Sequence, residues 1–123
     1  MTKPLTVVIQ RENWIRGEDP SDSFLLRESD RKMCCLGFAL CAARVPHKVL
    51  RGRGAPLSVG AALLPKRMLW LLTHGATMNS PDGEELMRLN DDTSTAEDER
   101  EKGIKVIFAE HNVKVTFRGK KRE

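Results

Sequence analysis

The chain has 123 residues, 40% of them hydrophobic and 31% charged, which is enough for one domain with a small core. No apolar run approaches the roughly 18 residues needed to cross a bilayer. The opening "MTKPLTVVIQ" lacks the pattern of a secretory signal, and three cysteines, two of them adjacent, do not make a disulfide framework. We therefore expect a protein of a reducing cytoplasm, without membrane association.

The net charge of +4 hides an uneven distribution of charged residues. Arg44–Arg67 contains six Lys or Arg and no carboxylate, whereas Asp82–Glu101 contains nine Asp or Glu and two Arg. Such blocks leave fields that steer anions or drive head-to-tail association, unless they neutralise each other in the fold. With 5% aromatic residues and no tyrosine, we expect no nucleic-acid partner.

The N-terminal half predicts two strands and a buried helix. The β-branched run at Leu5–Ile9 is typical of a strand, and Phe24–Arg27 is a second candidate strand. The segment between them, Gly17–Ser23, has the composition of a loop. Met33–Arg44 is apolar nearly all round, which predicts a central, buried helix.

The C-terminal half carries clear start and stop signals. Ser80 is placed to cap a helix that Asn90 closes, and "STAE" fits a capping box at the start of a helix over Thr95–Glu110. Asn112 is a candidate left-handed stop after that helix. Val113–Phe117 then alternates apolar and polar residues, as a strand with one wet face does.

These elements predict a single α+β domain over residues 1–118. We expect a short antiparallel sheet, including the N- and C-terminal strands, packed on the buried central helix and on a C-terminal amphipathic helix. Residues 119–123 are strongly basic and predict a flexible tail.

Cys34 and Cys35 lie near the start of a predicted helix, where the helix dipole lowers a thiol pKa. A cysteine hydrolase also needs a base, and none of His47, His74 and His111 lies in a recognisable partner motif. Packing as small hydrophobes is the favoured alternative. The chain contains no CxxC motif, and we expect no metal and no cofactor.

Arginines close to aromatic residues suggest a ligand site. A guanidinium provides a fork for phosphate oxygens, and a nearby ring provides a plane for a base. Asn90 adds an amide for edge hydrogen bonds, and "RGRG" is a basic loop that either wraps an anion or is a mobile surface loop. The predicted ligand-binding residues are Trp14, Arg16, Phe24, Arg27, Asn90, Arg51 and Arg53.

Four segments together resemble small proteins of tailed bacteriophages and prophages. They are "RENWIRGE", "SFLLRESDRKMCCLGFAL", "LNDD" and "EREKGIKVIFAEHNVKVTF", whereas residues 57–83 carry little of the resemblance. The layout is similar to the first Thoeris anti-defence family, whose members sequester cyclic ADP-ribose signals and form symmetric oligomers. No binding residue of that family transfers to a position here.

The resemblance implies a non-enzymatic phage protein, a homo-oligomer in the cytoplasm of the bacterial host cell, that sequesters a small phosphate-bearing nucleotide signal. Two alternatives stay open at this point. One is an inhibitor that docks on a host defence protein through the acidic stretch Asp82–Glu101, and the other is an enzyme that uses Cys34 or Cys35.

Overall fold

This computed structural model describes residues 3–17, 23–73, 75 and 77–121. The described chain forms a small α+β domain, as predicted, with the elements β1 (Leu5–Gln10), α1 (Cys35–Ala42), α2 (His47–Leu50), α3 (Pro56–Val59), α4 (Pro81–Asp91), α5 (Glu97–Glu110) and β2 (Val113–Arg118). Short 3-10 helices occupy Arg11–Asn13 and Lys66–Leu71. None of the described helices is long and apolar enough to span a membrane. Residues 18–22 of the predicted loop, His74, and residues 122–123 of the predicted tail lie outside the described residues.

The first and last strands pair with each other, with Leu5 opposite Val113 and Gln10 opposite Arg118. They run parallel, so the predicted antiparallel sheet is wrong. A parallel pair needs a long crossover between its strands, and here all five helices lie in that connection. Alternating burial of side chains occurs in parallel and in antiparallel strands. The sequences of β1 and β2 alone therefore do not determine their relative direction.

The core is built around α1, whose residues Cys35–Leu40 are all buried. This helix packs against β1 and α4, while α5 packs against β2 and α4. A Cβ atom at Gly37 would lie 1.9 Å from the backbone oxygen of Leu25. Glycine at this position therefore lets the segment before α1 cross close to the helix axis.

The helix α1 is shorter than the predicted Met33–Arg44. Before it, the Ile15 amide donates to the Met33 carbonyl at 2.8 Å, which holds Met33 extended. After it, Arg44 has a φ of 74° and leaves the helical region. The hydrogen bond to Met33 and the left-handed conformation of Arg44 therefore determine where α1 begins and ends. The sequence does not mark these positions, since it is apolar across both ends.

The predicted strand at Phe24–Arg27 is also wrong. This segment contributes a single parallel bridge, between Leu26 and Arg51, and then enters a turn. Its extended residues have no neighbouring strand with which to build a ladder in the described part of the chain.

Of the two predicted helix caps, one forms and the other does not. Ser80 caps α4 through its side chain, as predicted. The capping box at "STAE" does not form, because α5 begins at Glu97 and the hydroxyls of Ser94 and Thr95 donate instead to the Asp92 carboxylate, at 2.7 and 2.8 Å. Asp92 is the stronger acceptor, so it draws both hydroxyls away from the helix start.

The end of α5 and the last strand match their predictions. Asn112 adopts a φ of 63°, the left-handed conformation expected of a helix stop. In β2, Val113, Val115 and Phe117 are buried, and the residues between them face solvent.

Candidate anion-binding site

A small polar cleft lies between the turn at residues 27–32 and α2. It has a volume of about 290 Å³ and is named here the Arg51 cleft. Its lining residues are Leu26, Glu28, Arg31, His47 and Arg51. The volume is at the lower end of the ~300–1,000 Å³ range of small-molecule pockets, so it suits a ligand no larger than about a mononucleotide.

Hydrogen bonds join the two walls of the Arg51 cleft. The backbones of Leu26 and Arg51 form the parallel bridge that ties the turn to the end of α2. The neighbouring Arg53 supports this loop, because its guanidinium donates to the carbonyls of Val49, at 2.6 Å, and Ser58. Of the two arginines predicted in this loop, Arg51 therefore faces the cleft and Arg53 anchors the backbone.

Arg31 is presented to the cleft by a clamped turn. Its φ of 61° is left-handed, which costs a non-glycine residue roughly 1–2 kcal/mol. Arg27 and Asp30 hold the turn through two parallel hydrogen bonds, of 3.1 and 2.7 Å. The hydrogen bond from Arg27 lowers the pKa of Asp30 to about 2, so this clamp is charged at neutral pH. Arg27 thus acts on the turn that carries Arg31.

The basic side chains that line the Arg51 cleft are unpaired within the described residues. In the described part of the chain, the side chains of Arg31, His47 and Arg51 form no hydrogen bond or ion pair. Glu28 is the one carboxylate among the residues that line the cleft. None of the basic residues of Arg44–Arg67 forms an ion pair with a described carboxylate, so this block keeps its positive field.

A second basic concavity has a volume of about 350 Å³ and is named the Arg11 cleft. Its lining residues are Arg11, Glu12, Trp14, Arg16, Lys32, Lys120 and Lys121. The start of α5 neutralises most of its charge, through the pairs Arg11–Glu101 at 2.8 Å, Arg16–Glu97 at 2.5 Å and Lys121–Asp98 at 3.1 Å. The hydrogen bonds that Arg11 donates to the Glu101 carboxylate also raise the pKa of Arg11. An incoming anion would have to displace these carboxylates.

Trp14 and Arg16, two of the predicted ligand-binding residues, pack on each other beneath this cleft. The Arg16 guanidinium carbon lies 4.6 Å from the centre of the Trp14 ring, and Phe117 packs tilted against the same indole at 4.9 Å. Trp14 is 3% exposed and Arg16 is 5% exposed. The indole is therefore already covered on its faces by protein groups.

Asn90, a third predicted ligand residue, lies within α4 rather than closing it, and it is 1% exposed. Its side-chain oxygen accepts from Trp14 Nε1 at 2.8 Å and from the Cys35 amide at 2.9 Å. Its side-chain nitrogen donates to the Ile15 carbonyl at 2.9 Å. The amide thus links the N-terminal segment, α1 and α4 inside the core.

The predicted site residues therefore separate into different places. Phe24 is half-buried and lines neither cleft, and its carbonyl accepts from the Cys34 amide at 2.9 Å. Sequence reasoning missed Arg31 and His47 as neighbours of Arg51. Nothing in the sequence indicated that the turn at residues 27–32 and α2 meet.

The cysteines lie in the core. Cys34 and Cys35 are 4% and 0% exposed, and burial raises the pKa of Cys34 to about 12 and that of Cys35 well above its ordinary value. His111 is engaged elsewhere, stacked on Trp70 at 3.7 Å with Nε2 2.7 Å from a carboxylate oxygen of Asp82. These thiols have no means of forming a thiolate at neutral pH.

No three His, Cys, Asp or Glu side chains within the described ranges lie close enough to hold a metal ion. The chain matches no protein family, and no curated protein or solved structure is significantly similar to it. Function must therefore be argued from the two clefts and their charges.

Proposed function

We propose that this protein binds a small phosphate-bearing ligand in the Arg51 cleft and does not convert it. The observation that carries the proposal is that Arg31, His47 and Arg51 line one small cleft and form no ion pair with a described residue, with Glu28 as the one carboxylate in the lining. Two guanidinium forks match the oxygens of a phosphate group, and an imidazole adds a further donor.

The energetic comparison of the two clefts favours this choice. A hydrogen bond to a charged group contributes about 1.5–3 kcal/mol. In the Arg11 cleft, a ligand gains such bonds from Arg11 and Arg16 only by breaking those to Glu97 and Glu101, and Lys32 and Lys120 are the lining cations without an ion pair among the described residues. In the Arg51 cleft, the ligand displaces water instead, so most of the interaction energy is available for binding.

The biological role follows from the resemblance to small phage proteins. We propose that the ligand is a nucleotide signal of the cyclic ADP-ribose type, and that holding it blunts a host defence. No Phe, Tyr or Trp is among the described residues that line the Arg51 cleft, so the base would rest at the rim, where a second copy of the chain would have to cover it.

The two other functions have less support. The raised pKa values of Cys34 and Cys35 argue against a cysteine-dependent enzyme. A protein inhibitor that mimics nucleic acid needs free acidic side chains, yet Glu97 and Glu101 pair within the domain.

The test is a thermal-shift titration with inorganic phosphate, ADP and cyclic ADP-ribose. A ligand at 100 times its Kd stabilises the folded state by about 2.7 kcal/mol, which corresponds to roughly 10 °C in Tm for a domain of this size. The double variant Arg31→Gly, Arg51→Ala is expected to lose the shift. Glycine at position 31 suits the left-handed backbone, so the fold is preserved.

The matched control is Arg118→Ala, which removes an exposed guanidinium from β2 and is expected to keep the full shift. A shift that survives in the double variant contradicts the proposal. A shift lost instead in Lys32→Ala, Lys120→Ala assigns binding to the Arg11 cleft. Native mass spectrometry of protein purified from bacteria with active defence systems then gives the subunit count and any retained ligand.

A further inference from the structure

The two-stranded sheet has an outer edge on β2 whose direction can be derived. The Leu5 amide donates to the Asn112 carbonyl at 3.1 Å, and Leu5 is opposite Val113. In a parallel ladder this pattern directs the amides and carbonyls of Lys114 and Thr116 toward β1. Those of Val113, Val115 and Phe117 therefore point away from the sheet.

That outer edge has no partner in the described part of the chain. The sheet contains β1 and β2, and the three isolated bridges involve other residues. No backbone hydrogen bond from another described segment reaches Val113, Val115 or Phe117. A two-stranded sheet is marginal by itself, and a row of unpaired backbone groups is a template for a further strand.

A groove of about 340 Å³ is lined by residues of both β2 and α5. Its lining includes Val113 and Val115 on the strand, Ala109 on α5 and Pro4 before β1. Small apolar residues thus share the lining of the groove with Lys105, Asn112 and Lys114. An extended peptide that pairs with β2 can place alternate side chains into this groove.

The charged residues that line the groove indicate which kind of segment can bind there. Lys105 and Lys114 are the charged residues that line it, and Arg118 is exposed further along β2. A second copy of the chain that paired antiparallel through β2 would bring Lys114 and Arg118 of both copies onto one face. Like charges directly opposite each other destabilise a strand pair, so self-pairing is disfavoured.

We propose that the outer edge of β2 binds an extended acidic segment of a partner protein as a third strand. Backbone hydrogen bonds to Val113, Val115 and Phe117 hold the segment in register. Its acidic side chains lie beside Lys105 and Lys114, and its apolar side chains enter the groove. This surface is independent of the Arg51 cleft.

The test uses two synthetic peptides, EVEVEVE and KVKVKVK, with fluorescence polarisation as the readout. The acidic peptide is expected to bind at least tenfold more tightly than the basic one, and to weaken as salt rises. The double variant Lys105→Glu, Lys114→Glu is expected to reverse this preference. Both side chains are exposed, so the fold should tolerate the change, and Lys48→Glu on α2 serves as the control that leaves it intact.

Amide hydrogen exchange gives a second measurement, which distinguishes backbone pairing with β2 from attraction between charges alone. In the free protein, the amides of Val113, Val115 and Phe117 are buried but have no backbone partner in the described chain, so they should exchange faster than those of Lys114, Thr116 and Arg118. EVEVEVE should slow the first set. Binding without this alternating protection, or binding unchanged by the charge reversal, overturns the proposal. Protection of the first set that rises with protein concentration in the absence of peptide also overturns it, since a second copy then occupies the edge.

Discussion

Asn90 provides the sharpest test of the core network, through the substitution Asn90→Ala. The side chain satisfies three buried backbone or side-chain groups, namely Trp14 Nε1, the Cys35 amide and the Ile15 carbonyl. Each buried group left without a partner costs about 1–3 kcal/mol. The sum is roughly 3–9 kcal/mol, and the low half of that range is expected because water and small shifts recover part of it.

A loss of about 4 kcal/mol is large against a total stability of about 5–15 kcal/mol. In urea, with a slope near 1.5 kcal/mol per M, the unfolding midpoint should fall by roughly 2–3 M. The measurement is equilibrium unfolding followed by tryptophan fluorescence and far-ultraviolet circular dichroism, since Trp14 reports directly on the broken hydrogen bond.

Asn79→Ala is the matched control. Its side-chain oxygen accepts one exposed hydrogen bond, from the Leu57 amide at 3.1 Å, so a loss of about 0.5–1 kcal/mol is expected. If Asn90→Ala costs no more than Asn79→Ala, the network does not hold the N-terminal segment against α4. If Asn90→Ala instead abolishes nucleotide binding at unchanged stability, Asn90 belongs to a ligand site, as the sequence first suggested.

Three further predictions follow from individual positions. Gly37→Ala should destabilise by about 3 kcal/mol or more, because its Cβ would lie 1.9 Å from the Leu25 carbonyl oxygen, whereas Gly54→Ala, with open space around it, should change stability by less than about 1 kcal/mol in the same urea assay. Iodoacetamide should modify Cys34 at neutral pH only in the presence of denaturant, as followed by mass spectrometry, because burial raises its pKa to about 12. Asp30→Asn should lower Tm slightly above pH 4 and progressively less as pH falls toward 2, because a folded-state pKa of about 2, below the ordinary 3.8, gives stability that is lost as pH falls through that window.

Local signals predicted the elements that local interactions determine. The Ser80 cap, the Asn112 stop and the alternation in β2 each depend on residues within one or two turns of chain. The direction of the sheet and the absence of a strand at Phe24–Arg27 depend on which segments become neighbours. Because the described helices all lie between β1 and β2 in the chain, the packing of the whole domain determines which segments become neighbours.

The candidate site shows the same division. Trp14, Arg16 and Asn90 were predicted to bind a ligand, but in the structure each is buried and has partners within the domain. The sequence shows an arginine near a tryptophan and does not show whether the pair is open or buried. The exposed fractions of these side chains, 1–5%, decide between the two, and they arise from contacts between residues up to 81 positions apart.

Charge segregation gives the strongest link between the sequence and the proposed function. The acidic stretch has its partners at Arg11, Arg16 and Lys121, outside the basic block. Because the two blocks do not neutralise each other in the described chain, the positive field survives where Arg51 and Arg31 face the same small space. The left-handed conformation of Arg31 costs folding free energy, and solubility alone does not require it. That strain is understandable if the turn has to hold a guanidinium toward an anion.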